Sequence, residues 1–446
     1  MSTEIFDTGF TVEWVAHLVS RSINSKLTKC RVETIERQRF LVRVIRLHLE
    51  WQDPTDLPSS VILKLPSTSS LQMTDEKLDK EAMFKLSAML HQNEVLLYEL
   101  FKGNQPVPMP FCYHGTELDS TGKGVLLFED LYLRTASADF CDGLNLEQVL
   151  VVVEAIAELH VWSLSHSGWQ NQFHQIDRTE INDWKPKLKE IVESLEKQKP
   201  MWFRDAWDEI SWCYEPDLMY DHVYNCHQDL DLPPVLVHGD IWIKNLLFNK
   251  RHTGAGNELR AIVDWQLVHC GSCVEDIARL LITCCSSSLR RRETANVLRF
   301  YHDRMMQLTG KKCPFTRKQL NAAYERVLPY AATFYLIMVP TLTQSSVVEG
   351  ANKEQKINEL LRRAKRLIHE VISSKPLFEK FICLPIVEMI DEVQVCKLAS
   401  LYDNEMETAP ENYVDTVVRR ETVDYTDLWR ENMPPSLAEL LTHRGF

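Results

Sequence analysis

The segment VLVHGDIWIKNLLF (residues 235–248) runs an apolar strand into His238-Gly239-Asp240, and Asn245 follows five residues after that aspartate. A second apolar strand, residues 259–263, then delivers Asp264. Two carboxylates and an amide on adjoining loops suit one task, phosphoryl transfer from a metal-held nucleotide. One carboxylate receives or orients the acceptor hydroxyl, while the amide oxygen and the second carboxylate hold the metal. Mg²⁺ takes hard oxygen ligands of this kind. Asp and Asn are also common turn residues. The plain structural alternative has Asp240 and Asn245 capping turns and Asp264 opening a loop.

The spacing H-x-D-x-x-x-x-N is that of the protein-kinase catalytic loop, whose metal site is completed by an aspartate after a following strand. That reading asks for parts upstream: a strand lysine for the phosphates and a helix glutamate to pair with it. Lys64 lies in SSVILKL (residues 59–65), a charge inside an apolar strand. Its alternative is an edge-strand lysine facing water. Glu81, Glu94 and Glu99 all lie on the helical segment that follows, and periodicity does not choose among them.

Further out, residues 40–51 (FLVRVIRLHLEW) alternate at the strand period. Asp53-Pro54 and Leu57-Pro58 mark a turn, and residues 60–65 form the second strand of an antiparallel hairpin. Residues 10–19 and 75–101 have helical spacing, and residues 124–129 (GVLLFE) read as a buried strand. From residue 146 the pattern is helical over 146–165, 183–197, 274–309, 316–340 and 353–373, broken only by the strand-turn-strand island around Asp240. The expected fold class is α+β, a protein-kinase-like two-lobe fold. A small antiparallel-sheet lobe (1–130) precedes a larger, mainly helical catalytic lobe (131–400). Residues 401–446 carry ten acidic and four basic side chains and read as a peripheral extension.

Composition narrows the classes. The 446 residues are 45% hydrophobic and 25% charged, enough for a sizeable core and against wholesale disorder. There are 63 acidic against 50 basic residues, a net charge of −13, which argues against a nucleic-acid partner. The most apolar run, residues 330–342, is shorter than the about 20 residues a bilayer requires. Residues 149–161 are interrupted by Glu154 and Glu158. No membrane partner is therefore expected. Glu4 and Asp7, with no apolar signal core, argue against secretion. Twelve scattered cysteines read as reduced thiols in the cytoplasm.

HGDIWIKNLLF (238–248), AIVDWQL (261–267) and HQNEVLLYEL (91–100) together resemble the ecdysteroid-kinase-like (CHK kinase-like) family. That family groups with choline kinases and aminoglycoside phosphotransferases. The resemblance spans roughly residues 10 to 375. It implies ATP and Mg²⁺, Asp240 as catalytic base, Asn245 and Asp264 as metal ligands, and Lys64 as the phosphate-contacting lysine. Its helix pattern H-N-x-E-V-x-x-Y falls on His91, Glu94, Val95 and Tyr98 and selects Glu94 as the partner of Lys64; Gln92 stands in place of the usual Asn. It makes Phe128-Glu129-Asp130-Leu131 the connector between lobes, with the backbone at Glu129 and Leu131 meeting the adenine edge; on sequence alone the Glu129 and Asp130 side chains read equally well as solvent-facing at a strand end. His238 and Asp276 would support the catalytic loop. For Asp276 the plain alternative is an acid favoured at a helix N-terminus. One departure is that residues 34–40, where a glycine-rich turn would cover the phosphates, contain no glycine. Arg37 and Arg39 lie there, either as guanidinium forks for phosphate or as exposed turn residues.

The implied activity is phosphorylation of a small-molecule alcohol, steroid-like or xenobiotic. A choline- or ethanolamine-type kinase, or a binding protein with little turnover, are the alternatives. A metal-dependent hydrolase built on His238, Asp240 and Asp264 is a further rival. A protein acceptor is disfavoured, because Trp265-Gln266 replaces Phe-Gly after Asp264 and no A-P-E element follows. Cys270-Gly-Ser-Cys273 has no second pair to complete a zinc site. His160 sits at apolar helical spacing and reads as a core histidine. Trp162, Trp169, Trp202, Phe203, Trp207, Trp212, Tyr214 and Tyr220 read mostly as packing, with a minority available to line an acceptor pocket. Leu428-Trp429, Pro434-Pro435 and residues 437–441 suggest a docking helix or a frayed terminus.

Overall fold

The computed structural model describes residues 3–20, 23, 25–35, 42–53, 57–66, 80–119 and 122–383, without the side chains of 80, 82 and 376–383. Arg37, Arg39 and the acidic extension from 401 lie outside the described residues. The chain divides into two compact units, Met1–Glu379 and Lys380–Phe446. The candidate site belongs to the first.

The first unit opens with α1 (Val12–Val19), β1 (Leu27–Thr34), β2 (Val42–Trp51) and β3 (Ser60–Pro66), followed by α2 (Lys80–Leu100), β4 (Cys112–Thr116) and β5 (Val125–Glu129). The strands form one sheet in the order β1-β2-β3-β5-β4, each neighbouring pair antiparallel. Strand alternation assigns the two faces. Val61, Leu63 and Leu65 of β3 point into a cluster with Ile45, Leu47, Val125 and Leu127, capped by Val12, Val15 and Val19 of α1. Each such side chain contributes about 1.5–3 kcal/mol on full burial. Thr11 starts α1 by accepting the Trp14 N–H. The opposite face of β3 then carries Ser60, Ile62 and Lys64. Because β3 is the middle strand, Lys64 is flanked by Val44 and Leu126 and is 5% exposed. The edge-strand reading of this lysine does not hold.

The remainder is mainly helical. It comprises β6 (Thr135–Ala136), α3 (Leu146–Ser165), α4 (Arg178–Gln198), α5 (Pro200–Phe203), α6 (Ala206–Ile210) and α7 (Pro216–Tyr224). These are followed by β7 (Val235–Val237), β8 (Leu246–Arg251), β9 (Gly254–Ile262) and β10 (His269–Gly271), then α8 (Glu275–Cys284), α9 (Ser287–Leu308), α10 (Arg317–Leu342) and α11 (Lys353–Cys383). The protein is thus an α+β, kinase-like two-lobe fold.

Two sequence expectations change, and one stretch left unassigned takes form. The single helix expected over 274–309 is two, because Cys285 and Ser286 are extended and Ser286 caps α9 through the Leu289 N–H. The aromatic stretch 200–224 forms the three short helices α5–α7. Helix α3 is long and apolar enough to cross a bilayer, contrary to the sequence reading. Val149, Val152, Val153, Ile156 and Leu159 of α3 are buried in the core of the protein.

Candidate active site

Two short strand pairs build the loops that carry the polar residues. Strand β7 pairs with β10, and β8 with β9. The loop 238–245 joins β7 to β8, and Asp264 follows β9. Gly239 adopts φ +77°, and a Cβ there would sit 2.4 Å from the Leu267 carbonyl oxygen, so only glycine fits.

Asp276, on the first turn of α8, accepts the His238 N–H at 2.7 Å and the Gly239 N–H at 3.0 Å. Burial, with help from neighbouring Glu275, pushes its carboxyl up to about 6, while the two N–H groups favour the ionised form. His238 is buried too. Its Nδ1 accepts the Asp240 N–H at 3.1 Å, so Nε2 carries the proton and donates to the Val263 carbonyl at 3.1 Å. Burial lowers its pKa to about 3, leaving the ring neutral. Both nitrogens are engaged, and neither lone pair is available to a metal.

Asn245 closes the loop. Its Nδ2 donates to Asp240 Oδ2 and to the Asp240 carbonyl, each at 2.9 Å. Its own Oδ1 is buried with no hydrogen-bond partner. The Asn245 carbonyl accepts the Val263 N–H at 3.0 Å, which ties this loop to the residue before Asp264. Asp264 is one of the few non-glycine residues at positive φ among the described residues, +69°. A left-handed aspartate is sparsely populated and persists where its surroundings hold it.

Lys64 joins the two halves. Its Nζ donates to Asp264 Oδ1 at 2.5 Å and to Glu94 Oε2. Glu94 Oε1 also accepts the Trp265 N–H at 3.3 Å. One glutamate on α2 therefore grips both the lysine and the backbone beside Asp264. Glu81 is exposed beside Lys85, and Glu99 pairs with Lys102. The rest of the α2 pattern has structural work. His91, kept neutral by burial at a pKa of about 4, hydrogen-bonds the Thr116 carbonyl at 2.8 Å. Val95 and Tyr98 enter the core. Asn93, not singled out in the sequence, exchanges two hydrogen bonds with the His174 backbone.

At the connector, the Glu129 carboxylate pairs with Arg134, and its N–H donates to the Phe111 carbonyl at 2.9 Å. The Leu131 carbonyl accepts from Arg134 N–H and Thr135 Oγ1. The buried acid here is Asp130, which takes Arg46 Nε at 2.7 Å. Arg46 lies over the Tyr132 ring at 4.3 Å. A cavity of about 500 Å³ opens beside this pair, with His48 and Ser60 in its wall. Register places these residues on the Lys64 face of the sheet. Sequence reading placed Asp130 in the connector but missed its partner Arg46, although Arg46 is a charge inside an alternating strand, the same signal that exposed Lys64.

The donor set fits Mg²⁺: a buried amide oxygen without a partner, a carboxylate held in an uncommon backbone conformation, and a linking backbone hydrogen bond. Among the described residues no group of three or more His, Cys, Asp or Glu is placed to hold a metal. Cys273 is buried and Cys270 partly exposed, and burial raises both thiols, the latter to about 11.

Of the eight aromatics, Trp169, Phe203, Trp207 and Tyr214 are core residues, and Trp162, Trp202, Trp212 and Tyr220 pack against them. His160 is buried in the core, with Nδ1 at 2.7 Å from the Tyr301 hydroxyl.

The chain resembles two proteins of Caenorhabditis elegans. It is 25% identical over 361 residues to the uncharacterized oxidoreductase dhs-27, a match that covers 74% of this chain and 43% of that protein. It is 25% identical over 318 residues to the uncharacterized kinase-like protein D1044.1, covering 68% of this chain and 82% of that protein. Among solved structures, choline kinase from Cryptosporidium parvum Iowa II aligns with a TM-score of 0.45 and 11% identity, covering 82% of this chain and 94% of that one. The DUF1679 family model, described as "Uncharacterized oxidoreductase dhs-27", matches residues 2–376, and the chain belongs to that family.

Proposed function

We propose that the chain is an ATP- and Mg²⁺-dependent phosphotransferase that phosphorylates a hydroxyl of a small molecule, in the manner of the ecdysteroid-kinase-like enzymes it resembles. The observation that carries this reading is Lys64, buried and shared between Glu94 and Asp264, with Asp264 linked through Val263 to Asn245 and Asp240. Lys64 would hold the phosphates, kept charged and aimed by Glu94. Asn245 Oδ1 and the Asp264 carboxylate would hold the metal. Magnesium, when bound, neutralises charge on the transferred phosphoryl group. Asp240, with Oδ2 fixed by Asn245, would receive or orient the alcohol proton, a role worth about 10²–10⁴ in rate. The connector backbone around Glu129 and Leu131 would meet the nucleobase. The acceptor class is an apolar alcohol, steroid-like or xenobiotic. A reducing, cytoplasmic setting belongs to the same proposal and agrees with ten free cysteines among the described residues.

Rival chemistries find less support. The hydrolase rival relies on His238 as a metal ligand, and both His238 nitrogens are already engaged. A dinucleotide oxidoreductase needs G-x-G-x-x-G opening a helix. The pairs Gly122/Gly124 and Gly254/Gly256 are each followed by leucine at the third glycine position; the first pair lies between the antiparallel strands β4 and β5 and the second opens β9, so neither opens a helix. The oxidoreductase name belongs to a protein of which this chain spans 43%. The test is ADP release by purified protein over a panel of alcohols, with Asp240→Asn as control. Release that needs both ATP and an alcohol, and is lost in the variant, supports the reading; equal release from the variant refutes it.

A further inference from the structure

Arg279 lies on α8, one turn beyond Glu275 and the loop-anchoring Asp276, and is 2% exposed. Every part of its guanidinium has its own neighbour. Nε faces Glu275 Oε1 at 3.3 Å, and Nη2 donates to the Tyr330 hydroxyl at 3.2 Å. Its face lies on the Phe334 ring, 3.3 Å from the centroid. Nη1 faces Asp240 Oδ1 at 4.0 Å.

Glu275 is held from its other side by His269 Nε2 at 3.1 Å, and His269 Nδ1 faces the Leu267 carbonyl at 2.9 Å. Both His269 nitrogens meet acceptors, so the ring carries two protons. A buried row of alternating charge therefore runs from His269 through Glu275 and Arg279 to Asp240. Only its last member opens outward, with the Asp240 side chain 24% exposed. Charges inside the row are screened little by solvent and act strongly on one another.

We propose that Arg279 is a positioning residue for Asp240 and sets the charge preference of the acceptor site, aiming Oδ1 and disfavouring cationic alcohols. This rests on the phosphotransferase reading above. Asn245 fixes Oδ2 by a hydrogen bond at 2.9 Å, and Arg279, at 4.0 Å, acts on Oδ1 through its charge. A quaternary ammonium alcohol is recognised by acidic and aromatic walls. Here the Phe334 face, with Tyr330 beside it, is already occupied by the protein's own cation. An ammonium group on an acceptor whose hydroxyl reaches Asp240 would meet that cation at short range. A neutral alcohol meets no such penalty.

The experiment compares wild type, Arg279→Met and Arg279→Lys in ADP release with neutral alcohols (sterols, phenols and alkanols) and with choline. Arg279→Met should lower kcat for the best neutral alcohol by about 10- to 100-fold while the KM for ATP stays within about twofold. Arg279→Lys should recover part of that loss. The preference for the neutral alcohol over choline, as a ratio of kcat/KM, should shrink at least about fivefold in Arg279→Met. A merely structural role would lower both acceptors equally and leave the ratio unchanged, which would overturn the inference. If Arg279→Met does not fold, Tyr330→Phe keeps the charge but frees Nη2. It should lower kcat about threefold without moving the KM for ATP, and a wild-type kcat would overturn the inference. Turnover that disappears in Asp240→Asn yet persists unchanged in Arg279→Met refutes Arg279 alone. Wild-type protein that releases no ADP with any alcohol refutes the phosphotransferase reading and this inference with it.

Discussion

Asn245 gives both of its side-chain hydrogen bonds to Asp240, to Oδ2 and to the carbonyl, each at 2.9 Å. The amide thereby orients the carboxylate and turns its own oxygen into a buried site without a protein donor. Asn245→Ala removes both functions at once. Its kcat should fall at least about 100-fold, with a stability loss of about 1–3 kcal/mol from the Asp240 carbonyl left without its buried donor. Steady-state ADP release and a thermal melt on the same preparation check this. A variant of wild-type kcat would show that Asn245 is a turn cap and nothing more.

Glu94→Gln keeps the shape of the helix residue and an acceptor for the Trp265 N–H, but leaves Lys64 with one carboxylate fewer. Removing one partner of a buried ion pair costs roughly 3–5 kcal/mol, here softened by Asp264. The expected result is a lower melting temperature and a raised KM for ATP. Glu81→Gln, at an exposed surface pair, should change neither measurably.

Gly239→Ala should be poorly tolerated. The position needs φ +77°, and the new methyl group would overlap the Leu267 carbonyl. A loss of stability of more than about 1 kcal/mol is expected from the backbone conformation alone. Denaturant unfolding measures it. Gly103→Ala, at φ +80° with open space around the added atom, isolates the conformational part.

Four buried histidines make the fold acid-sensitive. Burial holds His160, His222 and His238 at about 3 and His91 at about 4. Their folded pKa values lie below the unfolded value of about 6.5. The unfolded chain therefore binds more protons, and their stabilisation is full above about pH 6.5 and lost as pH falls towards those folded values. Asp276, raised to about 6, works in the opposite sense below that pH. Each of the four histidines costs on the order of 1 kcal/mol over the whole interval from pH 7.5 to 5.5, because the slope develops only below about pH 6.5. The raised pKa of His269 offsets part of the sum, so the net expectation is a loss of no more than about 5 kcal/mol. Unfolding free energies at the two pH values test the sign. His160→Gln should flatten the slope, and an unchanged slope would contradict it.

The lobes and the loop 238–245 were legible because each rests on a local pattern. Strand alternation exposed Lys64, and fixed spacing exposed Asp240, Asn245 and Asp264. The choice of Glu94 over Glu81 and Glu99 was not local, since it depends on which face of α2 meets the sheet; resemblance supplied it. Strand β1 escaped notice because its residues (LTKCRVET) alternate weakly and none of them is buried. The break between α8 and α9 was hidden because apolar spacing continues through Ser286. Arg46 with Asp130, Asn93 with the His174 backbone and Arg279 with Asp240 join residues 84, 81 and 39 positions apart. Only the folded chain brings those partners together.

In the proposed phosphotransferase, Asn245 and Asp264 would hold the metal that accompanies the nucleotide. Calorimetric titration of ATP into the full chain, with and without Mg²⁺, tests it most directly. Wild type should bind ATP more tightly by at least about tenfold with Mg²⁺ present. Asp264→Asn and Asn245→Ala should each erase that difference. ATP binding that ignores Mg²⁺ in the wild type, or a Mg²⁺ effect that survives in both variants, would contradict the account.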